Sequence, residues 1–254
     1  RLTAVSVAVA GPVSGGAARL TNRDWEFSED RLARLTDADH IRLINDLTAL
    51  GYATARLGED GVSLLRGAPV HRARNGQSLV VGAGTGFNVC GVHRLPGGAM
   101  ACQEAEQGHT SLPANITMLL SERLGRNATE VFHSTEEAFA GRGLVRLHQE
   151  LHGEKVERAE AISTAAMQGD HKAEETYQLF TTLFGLLLRE LALSFMPLDG
   201  MYLAGSVARS FAHRTQQLED AFLAEPYMRH IPENTPLMLI RDDMAALHGC
   251  LAAI

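Results

Sequence analysis

The chain has 254 residues, 45% of them apolar and 21% charged, with a formal charge of −7. That length fits one large or two modest domains, and the composition excludes intrinsic disorder, collagen and coiled-coil fibre as overall descriptions. The acidic balance argues against a nucleic-acid or anionic-membrane surface but leaves room for a local nucleotide site.

Ala4 to Ala10 alternates small and branched apolar residues and stops at Gly11-Pro12, which predicts a buried strand and a turn. Ala17 to Thr21 reads as a return strand. Ser28 caps a short helix to Leu35, and Ile41 to Ile44 is a strand ending in Asn45-Asp46. Leu47 to Leu57 carries helical spacing, so Asn45 and Asp46 sit at a strand-to-helix junction, a common place for chemistry in α/β proteins. Gly58 to Gln77 is polar loop with short strands. Ser78 to Val81 and Phe87 to His93 flank Gly82-Ala83-Gly84-Thr85-Gly86 as a glycine-rich hairpin. Helices are expected from Asn115 as cap to Leu124, over Thr129 to Leu151 around a break at Gly141 to Gly143, and over Lys155 to Gln168. The clearest runs from His171 to Met196, with apolar residues at steps of three and four and Pro197 behind it. Strand Met201 to Ala204, a helix from Val207 to Leu223, strand Leu237 to Ile240 and a helix from Met244 complete an α/β alternation.

The three cysteines, Cys90, Cys102 and Cys250, are odd in number and widely spaced, which argues against a disulfide framework or structural zinc and for free thiols in a reducing cytosol. The apolar stretch Tyr177 to Leu188 is short for a membrane span and ends on Arg189 and Glu190.

The glycine hairpin lacks the helix that a dinucleotide fingerprint needs, and no P-loop motif is present. Its backbone N–H groups and the Thr85 hydroxyl can still hold phosphate, or the glycines serve only a tight turn with positive φ. Asp46 can act as a general base towards an alcohol, while Asn and Asp are equally good helix caps. Glu106 and His109 lie on a glycine-containing loop, and a carboxylate there suits a vicinal diol as well as it suits a solvated turn. Glu136 near a helix start has the macrodipole as its plain explanation. His148 and His152 are spaced i, i+4, but no third metal ligand is placed beside them.

Taken in order, Val7 to Ser14, Leu20 to Ser28, Ile41 to Ala49, Val80 to Asn88, Glu106 to His109, Glu136 to Leu144, Tyr202 to Ala208 and Asp242 to Leu251 resemble the bacterial glucokinase family of the sugar-kinase, actin and heat-shock ATPase superfamily. The resemblance implies an α/β, ribonuclease H-like fold of two domains around a cleft. The smaller domain would be residues 1–56 plus 242–254, the larger 57–241. It implies ATP-dependent phosphorylation of a hexose, glucose foremost, with Mg²⁺, in a cytoplasmic homodimer. Asp46 matches the catalytic base; Asn45, Glu106, His109 and Glu136 match sugar contacts. Gly84, Thr85 and Gly86 match a phosphate hairpin, and Gly205 and Ser206 an adenosine turn. Asn22, next to Trp25, matches a signature of unplaced role.

The departures lie on the nucleotide side. The family's D-x-G-G-T motif and its strands would precede Arg1. Asn88 stands where Gly is usual, Ser206 replaces a second Gly, and Met244-Ala245-Ala246 replaces Asn-Pro-Gly. A non-catalytic sugar-binding relative is therefore the alternative to a kinase, while a filament or chaperone ATPase has no reason to match the sugar-side segments.

Overall fold

The computed structural model describes residues 2–20 and 24–254. The first elements are strands β1 (Ala4–Val9), β2 (Val13–Ser14), β3 (Ala17–Arg19) and β4 (Glu26–Ser28), helix α1 (Glu29–Thr36), strand β5 (His40–Asn45) and helix α2 (Asp46–Ala53). Strands β6 (Val62–Arg66), β7 (Gln77–Ala83), β8 (Phe87–Arg94) and β9 (Met100–Glu104) follow. Then come helices α3 (Ala114–Leu124), α4 (Thr135–Phe139), α5 (Gly141–His152), α6 (Ala159–Met167) and α7 (His171–Phe195). Strand β10 (Gly200–Ala204), helices α8 (Ser206–Ser210), α9 (Thr215–Phe222) and α10 (His230–Asn234), strand β11 (Leu237–Ile240) and helix α11 (Ala245–Ala252) close the chain.

Two compact units form. The smaller gathers Arg1–Ser63, Cys90–Glu104 and Ile240–Ile254, and the larger holds Leu64–Val89 and Ala105–Leu239. Relative to the boundaries expected from sequence, the ends shift by a few residues and Cys90–Glu104 goes with the smaller unit. Strand β8 passes from one unit to the other.

In the smaller unit β1 and β5 run parallel, in register from Ala4↔His40 to Val9↔Asn45. Strands β2, β3 and β4 form an antiparallel sheet. Ser28 caps α1 as expected, its hydroxyl accepting from the Arg31 N–H at 3.3 Å. The core joins Ile44, Ala49 and Tyr52 to Cys250 on α11. Gly249 permits that packing: a Cβ there would collide with the Ala49 carbonyl.

In the larger unit the strand order is β6-β11-β10-β7-β8, with β10 parallel to both β11 and β7. Helix α7 is the spine of its core. Asp170 caps it, accepting from the Ala173 N–H at 2.8 Å. Its Phe180 and Phe184 pack with Phe87, Phe139 and Phe211, the Phe184 and Phe211 rings 4.6 Å apart. Each such side chain contributes about 1.5–3 kcal/mol of burial. The whole helix is long and apolar enough to cross a membrane, unlike the shorter stretch read from sequence, but its apolar residues fill this core.

Several expected boundaries change. Asn115 is not the cap of α3: Pro113 holds that position, and Asn115 turns its side chain to the Ile116 N–H and Glu190. The expected helix over Thr129–Leu151 is a 3-10 turn followed by α4 and α5, broken at extended Ala140 rather than within Gly141–Gly143. Helix α6 starts only at Ala159. The helix expected over Val207–Leu223 is split into α8, a 3-10 turn and α9.

Candidate active site

In the smaller unit β5 delivers Asn45 and Asp46 to the start of α2. Asn45 is the cap: Oδ1 accepts from the N–H groups of Leu47 at 2.9 Å and Thr48 at 3.4 Å. Its Nδ2 donates to the Gly11 carbonyl at 2.9 Å, tying the junction to the turn after β1. Capping therefore accounts for most of Asn45. Asp46 has one oxygen, Oδ1, on the Leu47 N–H at 2.9 Å. Its side chain is accessible to solvent, yet nearby protein desolvates the carboxylate. That raises its pKa above the usual value, against the lowering pull of the Leu47 N–H, its own N–H and the Asn45 amide. A raised carboxylate is a stronger base than an ordinary aspartate.

In the larger unit five of the expected features converge. The hairpin tip closes with the Gly84 N–H donating to the Gly86 carbonyl at 2.9 Å, and Thr85 is exposed. Neither Gly84 nor Gly86 has positive φ. Close approach accounts for Gly86, where a Cβ would stand 2.7 Å from Glu136 Oε2, whereas one on Gly84 would meet only ordinary contacts at 3.6 Å and beyond. Gly205, at φ +100°, lies against the Ala83 carbonyl where a Cβ would not fit, so the second turn is seated on the hairpin. The Ser206 N–H lies 3.6 Å from where a Gly84 Cβ would be. Gly108, inside the Glu106–His109 turn, is pressed on the Phe87 carbonyl in the same way.

Glu136 is bound into this cluster. Oε2 accepts from the Phe87 N–H at 3.0 Å, and Oε1 pairs with Arg142 at 2.5 Å. Burial opposes its charge, but the Phe87 N–H and the Arg142 guanidinium outweigh that and hold its pKa below the usual range. Arg142 also donates to the Thr85 carbonyl at 3.3 Å. His109 Nε2 stands 3.7 Å from Glu106 Oε2. The structure thus brings Gly84, Thr85, Gly86, Gly205, Ser206, Glu106, His109 and Glu136 together within one unit, with Asn45 and Asp46 in the other. Asn22 lies outside the described residues.

Sequence reasoning missed Arg142. Its signal was a cation in the first turn of a helix, where the macrodipole disfavours it. The rings of His148 and His152 both reach the Thr176 hydroxyl, at 2.9 and 3.1 Å. Among the described residues no cluster of three or more His, Cys, Asp or Glu could cage an ion.

The glucokinase family model matches residues 1–254. A glucokinase of Saccharophagus degradans is 33% identical over 258 residues, which cover 98% of this chain and 79% of that protein. One of Stenotrophomonas maltophilia strain R551-3 is 34% identical over 261 residues, covering 96% and 76%. The crystal structure of a glucokinase from an Antarctic psychrotroph superposes with a TM-score of 0.82 at 25% identity, over 98% of this chain and 79% of that one. A ROK family glucokinase from Streptomyces griseus, in complex with glucose and AMPPNP, shares the fold with a TM-score of 0.63 at 18% identity, over 98% and 80%. The fold is that of the actin-like sugar kinases. The chain belongs to the glucokinase family.

Proposed function

We propose that the chain transfers the γ-phosphoryl group of ATP to the primary hydroxyl of glucose. The observation that carries this reading is the hydrogen bond from the Phe87 N–H to Glu136 at 3.0 Å. It joins a carboxylate suited to sugar hydroxyls directly to the hairpin suited to phosphate, and phosphoryl transfer needs those two groups held side by side.

In this reading Asp46 takes the hydroxyl proton on Oδ2 while Oδ1 stays on the Leu47 N–H. Such a base supplies about 10²–10⁴-fold. Asn45 keeps one amide hydrogen on the Gly11 carbonyl and turns the other from the Asp46 carboxylate to a sugar hydroxyl. Glu106, His109 and Glu136 hold the other hydroxyls. Gly84, Thr85 and Gly86 take the phosphates, and Gly205 and Ser206 the adenosine. Mg²⁺ would arrive with ATP as part of the substrate and would supply charge neutralisation to it. Three free cysteines and a net charge of −7 support a cytoplasmic enzyme, and the sugar phosphate it would make is a substrate for glycolysis. A homodimer is the expected assembly.

Asn88 was one ground for a non-catalytic relative. Its amide is engaged with Glu106 and with the backbone of Gln107 and Val89, on the sugar side. The test is glucose 6-phosphorylation by the parent and by Asp46→Asn, with calorimetry for glucose and ATP. The proposal expects turnover in the parent, turnover lowered by about 10²–10⁴-fold in Asp46→Asn, and binding of both ligands. Glucose binding without ATP binding would return the non-catalytic relative, and equal turnover in both proteins would remove Asp46 from the chemistry.

A further inference from the structure

We propose that Asn88 is a positioning residue for sugar binding: its amide fixes the Glu106 carboxylate and the turn that carries it. Asn88 is the second residue of β8, between buried Phe87 and Val89, so strand alternation turns its side chain to the opposite face. There both ends of the amide are used. Oδ1 accepts from the N–H groups of Val89 and Gln107, each at 2.9 Å. Nδ2 donates to Glu106 Oε2 at 3.2 Å.

Those bonds grip the Glu106–His109 turn from one side. From below, Gly108 rests on the Phe87 carbonyl, and the turn is closed by the His109 N–H donating to the Glu106 carbonyl at 3.0 Å. Two successive residues of β8 therefore hold the turn, one by its backbone and one by its side chain. With Oε2 engaged, Oε1 of Glu106 is the oxygen left to receive a hydroxyl. An exposed glutamate loses side-chain freedom on binding, and holding it beforehand removes part of that loss.

The chemistry at this position is specific. An amide both accepts and donates from one planar group. Glycine, usual here in the family, can do neither with a side chain. Aspartate could accept from the two N–H groups but would set a second carboxylate against Glu106. The inference rests on the reading of Glu106 as a sugar ligand.

The experiment is glucose titration calorimetry on the parent, Asn88→Ala, Asn88→Asp, Glu106→Gln and the double variant Asn88→Ala/Glu106→Gln. An adenine nucleotide is titrated in parallel. Asn88→Asp keeps the size of the side chain and its acceptor bonds, so a loss there is not a collapsed strand, and melting curves confirm the fold of each variant. Both Asn88 variants are expected to bind glucose about two- to tenfold more weakly, the cost of ordering one long side chain on binding, with nucleotide affinity moving far less. In the Glu106→Gln background Asn88→Ala should cost much less than in the parent, because its effect runs through Glu106. If Glu106→Gln weakens glucose binding and both Asn88 variants bind like the parent, the inference alone is overturned. Additive losses in the double variant would reduce Asn88 to general support of the strand and overturn it as well. Parental affinity in Glu106→Gln would remove Glu106 from the sugar site and the inference with it.

Discussion

Gly86 illustrates how a single hydrogen side chain can belong to a neighbour's function. Its backbone would tolerate an alanine, since φ is not positive. The space a Cβ would take is occupied by Glu136 Oε2, 2.7 Å away. Gly86→Ala should therefore displace the carboxylate and weaken glucose binding, about tenfold for one charged hydrogen bond lost, while melting temperature changes little. Calorimetry beside a thermal melt separates the two. Asp46→Asn should lower kcat by about 10²–10⁴-fold with glucose affinity nearly kept. Because desolvation raises the Asp46 pKa, its charge is less favourable in the folded chain than in the unfolded one. Removing the charge should leave the melting temperature at neutral pH equal or higher. In the parent, the same raised pKa places the acid limb of kcat/KM, which reports the free enzyme, above the range of an ordinary aspartate, since only the ionised form accepts a proton. At this scale the residue types of the site were legible, because carboxylates and glycines in a familiar order point to their chemistry. The reason for each glycine was not: Gly86, Gly108 and Gly205 answer to partners far away in sequence.

Helices α2 and α11 meet at Ala49 and Gly249, where the backbone of one approaches the other too closely for any side chain. Asp46 begins α2, so this contact also seats the candidate base. Gly249→Ala should destabilise the smaller unit by about 3 kcal/mol or more, as overpacking does when backbone rather than a flexible side chain is in the way. Denaturant unfolding followed by the fluorescence of Trp25 would register it, and an unchanged midpoint would contradict the contact. Elements with a strong period were readable: α7 repeats its apolar residues over its full length, and β1 and β5 are short apolar runs with clear stops. The expected helix over Val207–Leu223 was not, because its apolar spacing continues while the backbone turns through Phe211–His213. Strand β9, Met-Ala-Cys-Gln-Glu, has no alternation of its own, and its pairing with β8 makes it a strand.

Over the whole molecule, stability and ligand occupancy are linked. Glucose at a hundred times its dissociation constant should add about 2.7 kcal/mol to the folded state. For a chain of this size that is a rise of about 5–10 °C in melting temperature, read by calorimetric scanning. A hexose that is not bound should give no shift, so the same measurement ranks sugars. The α/β class followed from the alternation of strands and helices, and the family from the order of its motifs. The membership of Cys90–Glu104 in the smaller unit could not be read, since strand β8 runs without a turn or composition change from one unit into the other.

That smaller unit is assembled from three separated stretches of chain, and Ala49 meets Gly249 only once α11 exists. On a ribosome, where residues emerge at about 5–20 per second, the larger unit has all its strands and helices before the smaller one can close. The helix that begins with the candidate base must therefore wait, with its packing face uncovered, for α11 to be made. The order of synthesis places closure of the smaller unit after the larger one is complete, so a translation product interrupted before α11 would carry a finished larger unit beside an α2 without its packing partner.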